Sequence, residues 1–110
     1  MKVDTKGHTT VIKETEGDMI SFLEKVSSQH ATFKDSNLIL DVTHDKNVDI
    51  KAIKTFADLS KKHKKGKKSF VIVAEDVDFN AIPEYLTVVP TVLEAHDIIE
   101  MEEIERDLGF

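Results

Sequence analysis

Asn37-Leu-Ile-Leu-Asp-Val-Thr43, then His44-Asp-Lys-Asn47, then Val48-Asp-Ile-Lys-Ala-Ile-Lys-Thr-Phe-Ala-Asp-Leu-Ser60 is the stretch that decides how this chain folds. Leu38 to Val42 is almost continuously apolar, the pattern of an interior strand covered on both faces. A short polar turn follows. Ile50, Ile53, Phe56, Ala57 and Ser60 then recur at helical spacing, so a helix should begin near Val48 with Asp45 or Asn47 as its cap. Lys65-Gly66 should end it, with Gly66 suited to the position just past the last turn.

The pattern continues on either side. Thr9 to Glu14 is rich in β-branched residues and reads as a strand, with a shorter strand before it and Lys6-Gly7 as the turn. Asp18 caps a helix through Met19, Ile20, Phe22, Leu23 and Val26 to about Gln29. Ala31 to Ser36 is a polar connection holding one buried residue, Phe33. Ser69 to Ala74 is a second interior strand, Val77 to Tyr85 one or two short helical turns, and Leu86 to Val89 a last short strand. Thr91 with Glu94 three residues on forms a capping box, and the helix it opens should run to about Asp107. The expected fold is α/β: a four- or five-stranded, mostly parallel mixed sheet with covering helices.

The 110 residues read as one domain, 1–110, with an acidic C-terminal helix at 91–108. A chain of this size buries roughly two-thirds of its unfolded surface, enough for a core without staples. There is no cysteine, which excludes disulfides, thiolate metal sites and cysteine nucleophiles. No apolar run reaches the roughly 18 residues of a membrane span, and Met1 to His8 does not read as a leader. These features predict a cytoplasmic protein that makes no membrane contact.

The net charge of −6 is distributed unevenly. Lys61 to Lys68 holds six lysines and His63, whereas Glu94 to Phe110 holds seven acids and one base, Arg106. Lysines in a last helical turn suit the negative end of the helix dipole, and a run of acids usually marks a solvated face. The acids near the end of the C-terminal helix face the wrong end of that dipole. Met101, Ile104 and Leu108 form a second apolar stripe there, rotated from the sheet-facing set Ala95, Ile98, Ile99 and Glu102. Two arrangements fit. The last turns, with Met101, Ile104, Leu108 and Phe110, project toward a basic protein surface or toward the lysine cluster of a second copy, giving a homodimer through the acidic helix. Alternatively the helix curls over the core edge and Phe110 tucks in.

No catalytic constellation is visible. The five histidines lack the spacing of a helical zinc pair, and His44-Asp45 resembles no metal loop. No glycine-rich phosphate cradle or serine elbow is present. The chain is expected to be no enzyme and to carry no catalytic residue, metal or cofactor.

The order of elements, the junction at Asp41 to Ile53 and the ending Val88-Val-Pro-Thr-Val-Leu-Glu-Ala-His-Asp-Ile-Ile99 resemble the STAS domain of anti-sigma-factor antagonists. In that family the motif Asp-Ser-Ser-Gly-Leu opens the helix, and its first Ser is the phosphoacceptor. Counting without gaps, Asp49 falls on the Asp, Ile50 on the phosphoacceptor, Lys51 on the second Ser, Ala52 on the Gly and Ile53 on the Leu. The resemblance covers roughly 9–102. It implies a STAS-like regulatory module for protein–protein interaction, bacterial and unphosphorylated at the usual position. The family uses this helix start for partner contact, which makes Asp45, Asp49, Ile50, Lys51 and Lys54 candidate docking residues, with Glu75 to Asp78 beside them. The tail Ile98-Ile-Glu-Met-Glu-Glu-Ile-Glu-Arg-Asp-Leu-Gly-Phe110 is similar to that of short chains accompanying ribonuclease Z-type hydrolases, a second resemblance that implies an alternative: an accessory of an RNA-processing enzyme with weak nucleic-acid contact through Lys61 to Lys68. Nucleic acid is otherwise disfavoured, because the cluster lacks aromatics and the domain is acidic.

Overall fold

A computed structural model describes residues 1–46 and 48–109. Five strands form one mixed sheet: β1 (Lys2–Lys6), β2 (Thr9–Lys13), β3 (Asn37–Asp41), β4 (Phe70–Val73) and β5 (Val88–Val89), lying side by side in chain order. The β1–β2 pair is antiparallel and the other three pairs are parallel. The hairpin between β1 and β2 has two loop residues, and Gly7, the first, has φ +60°, a conformation that disfavours any side chain.

The helices are α1 (Met19–Ser28), α2 (His30–Phe33), α3 (Ile50–Lys54), α4 (Ala57–Lys65) and α5 (Val92–Asp107), with a 3-10 turn at Phe79–Ala81. Asp18 caps α1 as its sequence implies, accepting from the Ile20 and Ser21 N–H groups at 3.1 and 3.2 Å. On one face of the sheet, Ile12, Leu38, Leu40, Phe70 and Ile72 pack with Met19, Phe22 and Val26 of α1, Phe33 of α2, Ile53 of α3, and Phe56 and Leu59 beside and within α4. On the other face, Ile39, Val71 and Val73 pack against Ala95 and Ile99 of α5. All five β3 residues are buried, as an interior strand requires.

Three details depart from the sequence reading. The helix expected to run unbroken from Val48 begins at Ile50 and divides at Thr55–Phe56. There the Thr55 and Phe56 N–H groups bond three residues back, to Ala52 and Ile53, and the Thr55 hydroxyl donates to the Ala52 carbonyl. A hydroxyl competing for a helical carbonyl is a known cause of such breaks. The Ala31 to Ser36 connection contains one helical turn, α2, which seats His30 and Phe33 in the interior.

The third departure is at the end of α4. Gly66 keeps an ordinary right-handed φ of −79°, and Lys67 takes the left-handed conformation at φ +62°. The residue with the conformational freedom sits one place too early. Lys67→Gly should therefore stabilise the fold by about 1 kcal/mol. Gly66→Ala, whose new Cβ would lie 3.4 Å from the His63 carbonyl oxygen, should add roughly 0.5 kcal/mol. Urea unfolding of both single variants measures this, and a destabilised Lys67→Gly would contradict it.

Candidate functional site

The strand-to-helix junction is built around two aspartates. Asp41, at the end of β3, accepts from the Thr43 N–H at 3.0 Å and the Thr43 hydroxyl at 2.7 Å, which folds the chain back above the sheet. Asp49 caps α3, accepting from the Ala52 N–H at 2.8 Å. The cap is thus Asp49 itself, in place of the expected Asp45 or Asn47; Asn47 lies outside the described residues. Asp45 and Ile50 are half-buried, and Lys51 and Lys54 are exposed. The cleft among Thr43, Asp45, Lys46, Val48, Glu75 and Asp76 holds only about 20 Å³, room for about one water. Among the described residues, the cleft at this junction is too small for a ligand.

The second candidate surface is the outer side of α5. Met101, Ile104 and Leu108 are 62%, 53% and 67% exposed, and Leu93, which sequence reading passed over, is 72% exposed. At 3.6 residues per turn these four fall within about 80° of arc, with Asp97 among them. Ala95 and Ile99 are buried on the opposite side. Glu94 and Glu105 border one flank of the stripe, and Glu100 and Asp107 the other. Phe110 lies outside the described residues. Because α3 and α5 pack on opposite faces of the sheet, the two candidate surfaces are separate.

The lysine run does not act as one unit. His63, in its middle, is 1% exposed. Its Nε2 lies 2.8 Å from the Ser36 carbonyl oxygen, which can only accept, so Nε2 carries the proton. Its Nδ1 therefore accepts from His30 Nε2 at 2.9 Å. Lys64, Lys67 and Lys68 share a cleft of about 560 Å³ with Glu102, Glu105 and Arg106. The two glutamates place negative charge in the cleft, which weakens it as a phosphate track.

Arg106 departs from the acid run in the same way. Its Nη1 donates to Ser69 Oγ at 3.1 Å and its Nη2 to Asn37 Oδ1 at 3.3 Å. Asn37 Oδ1 also accepts from the Ser69 N–H at 2.9 Å. The chain entering β3 is thus gripped at Ser36 by α4 and at Asn37 by α5.

Among the described residues, one acid besides Asp41 is buried outside the C-terminal run. Glu14 is 1% exposed, and its Oε1 accepts from the backbone N–H groups of Glu16, Gly17 and Asp18. It is a clamp on the loop that leads into α1. Among the described residues, no group of three histidine, cysteine or acidic side chains is placed to hold a metal ion. None of the described helices is long and apolar enough to cross a membrane.

No protein-family model matches the chain, and no curated protein matches it.

Two measurements check this account. Arg106→Met should cost about 1–3 kcal/mol in urea unfolding, because it strips charged donors from the buried Asn37–Ser69 pair. Glu105→Gln beside it should change stability by less than about 0.5 kcal/mol. Equal effects would mean that Arg106 is merely one more surface charge. The second measurement concerns the histidine pair. Burial first, and for His30 then the charges of Lys62 and Lys34, pull both imidazole pKa values below the ordinary 6.5. Below pH 6.5 the unfolded chain binds more protons than the folded one. The pair's contribution is therefore complete above pH 6.5 and is lost as pH falls from there through the folded values. An NMR titration of the ring protons should place both midpoints below 6.5; a midpoint at or above 6.5 for either ring contradicts the buried neutral pair.

Proposed function

We propose that this protein is a non-catalytic, regulatory protein–protein interaction module of the STAS type, not switched by phosphorylation at the usual serine position. The five-stranded mixed sheet with helices on both faces is compatible with that fold. The junction from Asp41 through Asp49 into α3 supports it further, since Asp49 holds the capping role that opens the helix. Ile50 and Lys51 stand where the family carries hydroxyls, so a partner reading this surface would meet an apolar side chain and a cation.

The observation that carries the interaction reading is the stripe on α5. Large aliphatic side chains scattered singly on a surface need no explanation, but four aligned on one helix face between acidic flanks mark a contact surface. No enzymatic reading has comparable support. The large clefts are open, and among the described residues the buried titratable side chains Glu14, His30, Asp41 and His63 are engaged with the chain itself. The nucleic-acid alternative is weaker for a geometric reason, since the lysine run is divided between the outer face of α4 and a cleft that contains carboxylates.

A photo-crosslinking amino acid placed at Ile104, and separately at Lys51, tests the reading in the native cell. Each position reports on one docking face. An adduct to a defined protein is expected, and for the α5 face it should vanish when Met101→Asp and Leu108→Asp are added. Absence of adducts at both positions would overturn the interaction reading.

A further inference from the structure

The outer face of α4 is the counterpart of the outer face of α5. Ala57, Asp58, Lys61, Lys64 and Lys65 line a cleft of about 700 Å³ there with Tyr85, whose side of the cleft lies in the loop before β5. Tyr85 is 58% exposed. Its ring, Ala57 and the lysine stems supply apolar surface, and three lysines against the one carboxylate of Asp58 leave the cleft net cationic. Lys64 is tied down, donating to the Tyr85 carbonyl oxygen at 3.2 Å. Lys61 and Lys65 are exposed and have no carboxylate within 4 Å among the described residues.

The α5 stripe has the opposite character: an apolar ridge of Leu93, Met101, Ile104 and Leu108 between acidic flanks. The two surfaces match in shape class and in charge. Within one chain Lys64 and Glu105 border a common cleft, but the apolar ridge lies on the outer side of α5, away from the face of the sheet that α4 covers. We propose that they meet between chains, the α5 ridge of one copy seating in the α4–Tyr85 cleft of the next.

This rests on the interaction reading above and names the partner as a second copy. The arrangement is head-to-tail, not two-fold. A symmetric pairing of α5 with α5 would bring both acidic flanks against their own copies, and Arg106 is already engaged with Ser69 and Asn37. Like charges across an interface oppose association, whereas lysine against glutamate favours it. Because the joined patches differ, each added copy leaves one ridge and one cleft free, so assembly continues into a row unless the rotation closes a ring. The contact of a single helix face is small, so association should depend on concentration and weaken as salt screens the flanking charges.

Sedimentation velocity on the full chain tests this with two variants. Met101→Asp/Ile104→Asp removes the ridge, and Lys61→Glu/Lys65→Glu removes the cleft's cationic charge. All four positions are exposed, and unchanged circular dichroism and urea midpoints confirm that each variant folds. The wild type should grow beyond a dimer with concentration at low salt and shrink back at high salt. Each variant alone should stay monomeric. Mixed in equal amounts, they retain one good ridge and one good cleft between them, and should form a dimer that grows no further. Dimerisation of Lys61→Glu/Lys65→Glu alone would show a symmetric α5 contact and overturn the head-to-tail arrangement. A wild type that stays monomeric throughout would overturn self-assembly. Adducts to another protein in the crosslinking experiment would still uphold the interaction reading, so the two failures are distinguishable.

Discussion

Everything in this structure depends on covering both faces of β3. All five of its residues are buried, and its neighbours β2 and β4 run parallel to it. A parallel interior strand needs apolar cover above and below, and no single helix layer provides both. The helices α1 to α4 cover one face as the chain passes from strand to strand. The other face is left to α5, which returns across β3, β4 and β5. That late return explains why one helix carries such different sides. Ala95 and Ile99 close the second core, and among the described residues the far side stays exposed at Leu93, Met101, Ile104 and Leu108.

The entry to β3 is also where the two charged runs are anchored. His63 sits among six lysines and holds the Ser36 carbonyl oxygen; Arg106 sits among seven acids and holds Asn37 and Ser69. In each run the exceptional residue is the one the fold uses. A lysine at 63 would bring a charge into a buried site, and a glutamate at 106 would place carboxylate oxygens against the Asn37 oxygen. Most other members of each run are solvated at the surface, where a change of side chain costs little. The runs are thus surface character laid around one buried contact apiece, with Lys64 to the Tyr85 carbonyl and Glu103 to His8 as lesser ties at the surface.

That division explains what the sequence disclosed. Periodicity disclosed β3, β4 and the sheet side of α5, because burial repeats along an element and leaves a pattern. Caps disclosed the starts of α1 and α5, because Asp18 and Thr91 act on N–H groups two or three residues away. What stayed hidden depends on distant partners or on competition at a single carbonyl. The break at Thr55 is one hydroxyl against one helical bond. The pairing of His30 with His63 spans 33 positions, and that of Arg106 with Asn37 spans 69. Leu93 was hidden for a different reason: it lies in the first turn of α5, before the acids and the other stripe residues, and its exposure becomes visible only once Ala95 fixes which side faces the sheet. The choice of Lys67 over Gly66 for the left-handed turn has no sequence signal at all.

The arrangement of charge on α5 is evidence of its own. Glu105 and Asp107 lie exposed in the last turn of a helix whose carbonyls already carry partial negative charge, at about 0.3–1 kcal/mol for each. The lysines that end α4 gain from the same effect. Were stability the dominant pressure, α5 would carry lysines at its end as α4 does, and the four exposed aliphatic residues would be polar. Both departures fall on one helix and on adjacent arcs of it. A cost in helix stability and a cost in exposed apolar surface, borne together at one place, are more economically explained by one contact than by two accidents. The same reasoning applies with less force at α3, where Ile50 is only half-buried and the cap at Asp49 favours the helix. The α5 face is therefore the stronger of the two proposed docking surfaces, although the resemblance points first to α3.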